Sequence, residues 1–182
     1  MNKSLFHQLE GSAICFKPLD LKDTEAIFHF ASDEDVSKFI GWDRMKDVEE
    51  TEKFIELMQG REISGTHLYA SIVLKTTKEI IGTAMIFNFD QEANHAEVGY
   101  VFDKKHWGKG YGTECVELMS NFAFETLQLH KLYAKVVDAN ISSARILEKN
   151  GFKLEGQLAD HYFIDNRYYD ALFWGKIQYE NH

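Results

Sequence analysis

The chain has 182 residues, with 20 Lys plus Arg against 29 Asp plus Glu, a formal net charge of −9 with His counted neutral. That length suits one domain over residues 1–182 and is short for two. Hydrophobic residues at 45%, a single Pro and 12 Gly exclude disordered, collagen-like and low-complexity chains, and the acidic balance excludes a general binder of nucleic-acid phosphates, which relies on Lys and Arg.

Ile14 to Pro18 reads as a short strand closed by the proline. Asp20 to Ser32 reads as a helix with Ile27, Phe30 and Ala31 on one stripe. Phe39 to Lys46 is irregular. A second helix runs from Asp47 to Gln59, with Val48, Thr51, Ile55 and Met58 at helical spacing and Gly60 as its stop. His67 to Lys75 and Glu79 to Asn88 are β-branched and aromatic, joined by a tight turn at Lys75–Lys78. Ala96 to Phe102 alternates, with Ala96, Val98, Tyr100 and Phe102 on one face and Glu97, Gly99 and Val101 on the other.

A glycine-punctuated loop, Asp103 to Gly112, leads into a helix that reaches about Leu127. Lys131 to Val137 is the next strand. Ser142 to Asn150 is a short helix with Gly151 as its C-terminal cap. Strands at Phe152–Glu155, Ala159–Ile164 and Tyr168–Tyr179 finish the chain, the last two joined by a turn at Asp165-Asn166. The whole is a mixed α/β domain.

Cys15 and Cys115 are isolated and offer neither a disulfide framework nor a metal pair. The eight His show no HExxH or similar spacing, so no metal is expected. Residues 1–10 lack a signal-like apolar segment, and no run approaches the ~20 apolar residues of a membrane span. The expected setting is the cytoplasm, with no membrane partner.

Two segments carry chemistry. The first is Trp107-Gly108-Lys109-Gly110-Tyr111-Gly112-Thr113-Glu114. Its alternate glycines let the backbone turn tightly and approach a ligand. The unpaired N–H groups and positive dipole end of the following helix point back at the loop, an arrangement suited to a pyrophosphate. The spacing is neither that of a P-loop nor that of a dinucleotide fingerprint. The second is Asn140-Ile141-Ser142-Ser143-Ala144-Arg145-Ile146-Leu147-Glu148-Lys149-Asn150-Gly151-Phe152, which follows a strand.

Together these segments resemble the GNAT family of N-acetyltransferases. Gly110 and Gly112 fall on the small positions of its Arg/Gln-x-x-Gly-x-Gly/Ala loop. Asn140, Ser143, Glu148, Lys149, Gly151 and Phe152 match its later Asn-x-x-Ser/Ala…Glu-Lys-x-Gly-Phe signature. The loop and the ending Tyr162…Asn166-Arg167-Tyr168…Asp170 look most like the branch of ribosomal-protein-alanine and spermidine N-acetyltransferases.

The resemblance implies a mostly antiparallel central sheet flanked by helices, splayed between the strands at 96–102 and 131–137, with acetyl-CoA as co-substrate in the split. Backbone at Val101 and Phe102 would pair with the pantetheine. Trp107, Gly108, Lys109, Gly110, Tyr111, Gly112 and Thr113 would hold the pyrophosphate, and Asn140 the pantetheine arm. A primary amine would attack the thioester directly, the acceptor being a protein N-terminal α-amine, a polyamine or an aminoglycoside. A weakly active acyl-CoA-binding module is the alternative. The resemblance also admits a homodimer.

Direct transfer needs a base for the amine, oxyanion donors, and a partner for the leaving thiolate. Glu97, the lone carboxylate on its alternating strand, is the base candidate; its alternative role is a solvated or structurally paired carboxylate. Two positions depart from the family pattern. Trp107 replaces the usual Arg or Gln, and Leu147 stands where many members place a Tyr acid. Ser143 is the local substitute. Trp42, Tyr69, Phe87, Phe89, His161, Tyr162 and Tyr168 are aromatic candidates for the acceptor groove, with Trp42 and Tyr162 foremost. Glu34, Asp35, Asp43, Glu49, Glu50 and Glu52 would make an acidic mouth for a cationic amine, or simply a solvated helix face.

Overall fold

The structure is a computed structural model, and it describes residues 3–40 and 44–178. Trp42 and Asp43 lie outside the described residues. The elements in order are α1 (Lys3–Phe6), β1 (Ile14–Lys17), α2 (Thr24–Ala31), α3 (Glu34–Ser37), α4 (Val48–Ile63), β2 (His67–Leu74), β3 (Ile80–Asp90), β4 (His95–Phe102), α5 (Tyr111–Asn121), β5 (Lys131–Val137), α6 (Ile141–Lys149), β6 (Lys153–Ile164) and β7 (Arg167–Ile177). The strands form one sheet in the order β1-β2-β3-β4-β5-β7-β6. Every neighbouring pair is antiparallel except β4 and β5.

Helices cover both faces of this sheet, the usual way to bury two apolar sheet surfaces. The alternation along β4 divides the two cores. Ala96, Val98 and Phe102 join the core under α5 and α6, with Cys115, Met119 and Leu147. Val101 points the other way, into the core with Ile27 and Phe30 of α2 and Ile55 of α4.

Several expected boundaries move. The helix expected over Asp20–Ser32 is a 3-10 turn at Leu21–Asp23 followed by α2. α4 passes through Gly60 and stops at Ser64, before Gly65 at φ +78°. A helix tolerates one glycine at a modest cost, and the left-handed residue marks the true end. α3 is a single turn, too short to show periodicity. Asp33 caps it, accepting from the backbone N–H of Asp35 at 2.8 Å and of Val36 at 3.3 Å. After α5 the chain widens into a π-helical turn at Phe122–Thr126. The expected gap between Glu155 and Ala159 is absent, because β6 runs unbroken with two register irregularities against β7. β6 is an exposed edge strand, and its bulges disrupt the alternation that would mark it as a strand. Among the described residues, no helix is long and apolar enough to cross a membrane.

Candidate functional site

β4 and β5 pair only at His95↔Lys131, Ala96↔Leu132 and Glu97↔Tyr133. Beyond that point each strand keeps its other neighbour. β4 stays on β3 as far as Phe102↔Gly82, and β5 stays on β7 as far as Val137↔Ala171. The sheet therefore opens into a split beyond Glu97, and the free edge of β4 lines it.

Three cavities meet there. A groove of about 640 Å³ lies on the glycine-loop side. A small cavity of about 130 Å³ occupies the split, with Glu97, Tyr100 and Ser143 on its wall. An outer cavity of about 1140 Å³ reaches the β6–β7 hairpin. Phe39 and Ile40, just after α3, line all three.

The glycine loop closes the far end of the groove. Gly108 and Gly110 have φ of +73° and +89°, a region unfavourable for residues with a Cβ. Gly110 caps α5 without a side-chain hydrogen bond. Among the described residues, no backbone hydrogen bond uses the N–H groups of residues 108–112. These donors and the helix dipole make a cradle for an anion. Gly112 serves packing instead. A Cβ there would come within 2.6 Å of the Ile146 Cδ1 atom of α6.

Glu97 sits at the vertex of the split and is only 5% exposed. Its Oε2 accepts from Asn88 Nδ2 at 2.8 Å and lies 3.3 Å from Lys135 Nζ. Asn88 reaches it from an irregular end of β3, where φ is +52°. Burial, reinforced by the Glu97 charge, pushes the Tyr133 phenol up to about 12. The Tyr162 phenol is also raised, by burial first and Glu97 second.

A family model described as an acetyltransferase (GNAT) domain matches residues 13–153. The chain belongs to the GNAT family of acetyltransferases. It is similar to the N-acetyltransferase p20 of Bacillus licheniformis, at 29% identity over 167 residues, covering 92% of this chain and 94% of the relative. Among solved structures it resembles the spermidine N-acetyltransferase of Vibrio cholerae in complex with CoA and spermine, with a TM-score of 0.82 and 21% identity, covering 92% of this chain and 97% of that one. It also resembles a ribosomal-protein-alanine acetyltransferase from Vibrio fischeri, with a TM-score of 0.79 and 21% identity, covering 94% and 96%.

In this GNAT acetyltransferase most of the sequence-derived site residues come together. Val101, Phe102, Trp107, Gly108, Gly110, Tyr111, Gly112, Thr113, Asn140 and Ser143 all line the loop-side groove. Lys109 sits in the loop, with its side chain exposed. The Trp107 indole donates to the Phe102 carbonyl at 2.9 Å, so Trp107 braces the loop against β4 in place of a polar side chain. Asn140 acts as the N-cap of α6, its Oδ1 accepting from the Ser143 N–H at 3.2 Å. Leu147 is fully buried in the core and lines none of these three cavities.

The acceptor candidates divide. Phe87 and Tyr162 line the outer cavity, and Tyr69 lines the split. Phe89 packs on the core. His161 stacks edge-on against Tyr162 at 4.9 Å, and Tyr168 lies against Phe163 at 4.8 Å.

The expected acidic mouth is corrected. Of those six carboxylates, Glu34 alone among the described residues lines the outer cavity. Asp35 pairs with Lys104 on the groove side, and that ammonium holds its carboxyl below the usual range. Glu49 pairs with Lys53 at 2.7 Å, and Glu50 accepts from the Lys46 N–H at 2.8 Å. These two belong to the start of α4, where carboxylates satisfy the helix terminus.

Sequence reading missed Tyr100 and Lys135, whose positions depend on contacts across elements. It also missed Arg145 and Lys149, which line the groove and whose i, i+4 spacing on α6 is the signal that marks them as one face. A further group, Glu79, Asp103 and His106, brings possible metal-ligand atoms within 4.8 Å of one another, which no sequence spacing announces. His106 Nε2 lies 3.6 Å from Glu79 Oε1, so a contact between imidazole and carboxylate accounts for part of that proximity.

Proposed function

We propose that this acetyltransferase moves an acetyl group from acetyl-CoA directly to a primary amine, with a peptide N-terminal α-amine as the acceptor. The observation that carries this reading is the split beyond Glu97, which joins an anion cradle on one side to an outer cavity on the other. The donor fits the chain's own residues. The free N–H groups at 108–112 suit a pyrophosphate, and Arg145 and Lys149 add positive charge along the groove. The open edge of β4 suits an extended pantetheine arm, because a strand edge presents unpaired backbone groups. The acetyl-CoA donor supplies the activated acyl group.

Transfer then needs a neutral amine. Glu97, at the junction, is placed to take the amine proton through water. The β4 backbone at Val101 is the candidate donor to the oxyanion.

The acceptor follows from charge. The carboxylates of the outer cavity are Glu34, Glu97 and Asp165. Each has a cation near it: Arg44 at 3.8 Å, Lys135 at 3.3 Å and Lys38 at 3.5 Å. A polyamine would meet an electrically balanced cavity. A peptide, with one amine and its own anionic groups, suits that balance better. Free thiols at Cys15 and Cys115 favour a reducing, cytoplasmic setting.

Thiol release from acetyl-CoA across peptides, spermidine and aminoglycosides tests the reading. Amine-stimulated release that is greatest with peptides supports it. Spermidine as the best acceptor refutes the charge argument. Saturable CoA binding without amine-stimulated release refutes the enzyme reading in favour of a binding module.

A further inference from the structure

Ser143 lies in the first turn of α6 and lines both the loop-side groove and the split. Its Oγ lies 2.8 Å from the phenol oxygen of Tyr100, and that phenol also lies 3.3 Å from the Ser143 carbonyl oxygen. Tyr100 stands on β4 beyond the last β4–β5 pairing, so its side chain bridges the splayed strand to α6.

A phenol has one proton and here two places to give it. If Tyr100 donates to the Ser143 carbonyl, its oxygen can accept the serine proton, and that proton is unavailable to the groove. If Tyr100 donates to Oγ, the serine proton is free to point elsewhere. The two arrangements differ only in hydroxyl rotation.

We propose that Tyr100 is a positioning residue for thioester cleavage: by donating to Ser143 Oγ, it turns the serine O–H toward the coenzyme A sulfur as the C–S bond breaks. The proposal rests on the acetyl-transfer reading. The amine lone pair forms the C–N bond, and the C–S bond breaks with both electrons going to sulfur. The surplus amine proton leaves through water on the Glu97 side. Neither hydroxyl loses its proton; each contributes a hydrogen bond. Burial raises the Tyr100 phenol, which suits a group that donates without ionising. Leu147, one turn farther along α6, is buried in the core and offers no hydroxyl. The Ser143 N–H is held by Asn140, which fixes the turn that carries Oγ.

The test uses coenzyme A itself. The ultraviolet absorbance of the thiolate, titrated against pH with saturating protein, gives the ionisation midpoint of the bound thiol. A hydrogen bond to an anion predicts that Tyr100→Phe and Ser143→Ala each raise that midpoint by about 1 pH unit, a roughly tenfold weaker hold on the thiolate. The double variant raises it no further. Desulfo-coenzyme A, which lacks the sulfur, binds all variants equally. Steady-state kcat falls in Tyr100→Phe while KM for acetyl-CoA does not change.

A midpoint in Tyr100→Phe identical to the wild type overturns the inference, as does an equal loss of affinity for desulfo-coenzyme A. In either case the pair merely braces the groove. Failure of the wild type to bind coenzyme A overturns the acetyl-transfer reading, and this inference with it.

Discussion

Replacing Gly110 separates backbone strain from ligand contact. Its φ of +89° lies where a Cβ costs roughly 1–2 kcal/mol. A Cβ built there meets no atom within 4 Å, so no clash adds to that strain. For a chain of this size, Gly110→Ala should lower Tm by roughly 2–8 °C. The new methyl group enters open space beside the free N–H groups of the cradle. Acetyl-CoA affinity should therefore fall about tenfold, roughly 1.4 kcal/mol. Gly110→Asp carries the same strain and adds a negative charge. At about 5 Å from a phosphate charge and an effective dielectric of 20, repulsion is about 3 kcal/mol. Salt screening halves that, leaving roughly a further tenfold loss. Calorimetric titration with acetyl-CoA, alongside melting of the free protein, reads both effects. Gly112→Ala is the internal comparison, since its cost comes from pushing Ile146 and should appear in Tm before affinity. A Gly110→Asp protein that melts lower but binds acetyl-CoA like the wild type would refute the loop assignment.

Glu97→Gln should lower kcat about 10²-fold near neutral pH and less at high pH, where the acceptor amine is already neutral; a wild-type pH profile removes Glu97 from proton transfer. Leu147→Tyr should not create an acid, because the position is fully buried. Overpacking should cost about 1–3 kcal/mol by denaturant melts with no gain in kcat, and a rise in kcat would contradict the core placement. Cys115 is fully buried and its thiol is pushed up by burial, so it should resist thiol reagents in the native state. Cys15 is partly exposed, so at most one thiol should react until the chain unfolds, and rapid native labelling of two would count against this packing.

The parts of the site that were legible in the sequence depend on short-range chemistry. Gly108 and Gly110 announce positive φ through residue type, and the alternation from Ala96 to Phe102 assigns Glu97 and Val101 to the same face. Asn140 three residues before Ser143 marks a helix start. What stayed hidden depends on tertiary contacts. The Tyr100–Ser143 contact joins residues 43 apart in the chain, and nothing in the β4 alternation distinguishes Tyr100 from its core neighbours Val98 and Phe102. Lys135 meets Glu97 only because β5 pairs in parallel with β4 at Tyr133. The single turn of α3 and the bulged edge strand β6 lack a clean period for the same reason: hydrogen bonding and edge geometry shape them more than burial does.

The net charge of −9 gains meaning only after the residues are placed. A chain can be acidic overall without an acidic substrate mouth, because a carboxylate that caps a helix or pairs with a lysine on its own helix projects little field into a cavity. Glu49 and Glu50 are spent this way, and Asp35 is neutralised by Lys104. The loop-side groove, in contrast, gains charge that the loop sequence understated. Lys104 is paired with Asp35, yet α6 contributes Arg145 and Lys149 from a different segment. The groove thus keeps a cationic wall for an anionic donor, while the outer cavity balances Glu34, Glu97 and Asp165 against Arg44, Lys135 and Lys38. Selection at such a cavity depends on how charges are arranged within the acceptor more than on their total. The spacing between the acceptor's amine and its nearest anion is therefore the variable that acceptor specificity should track.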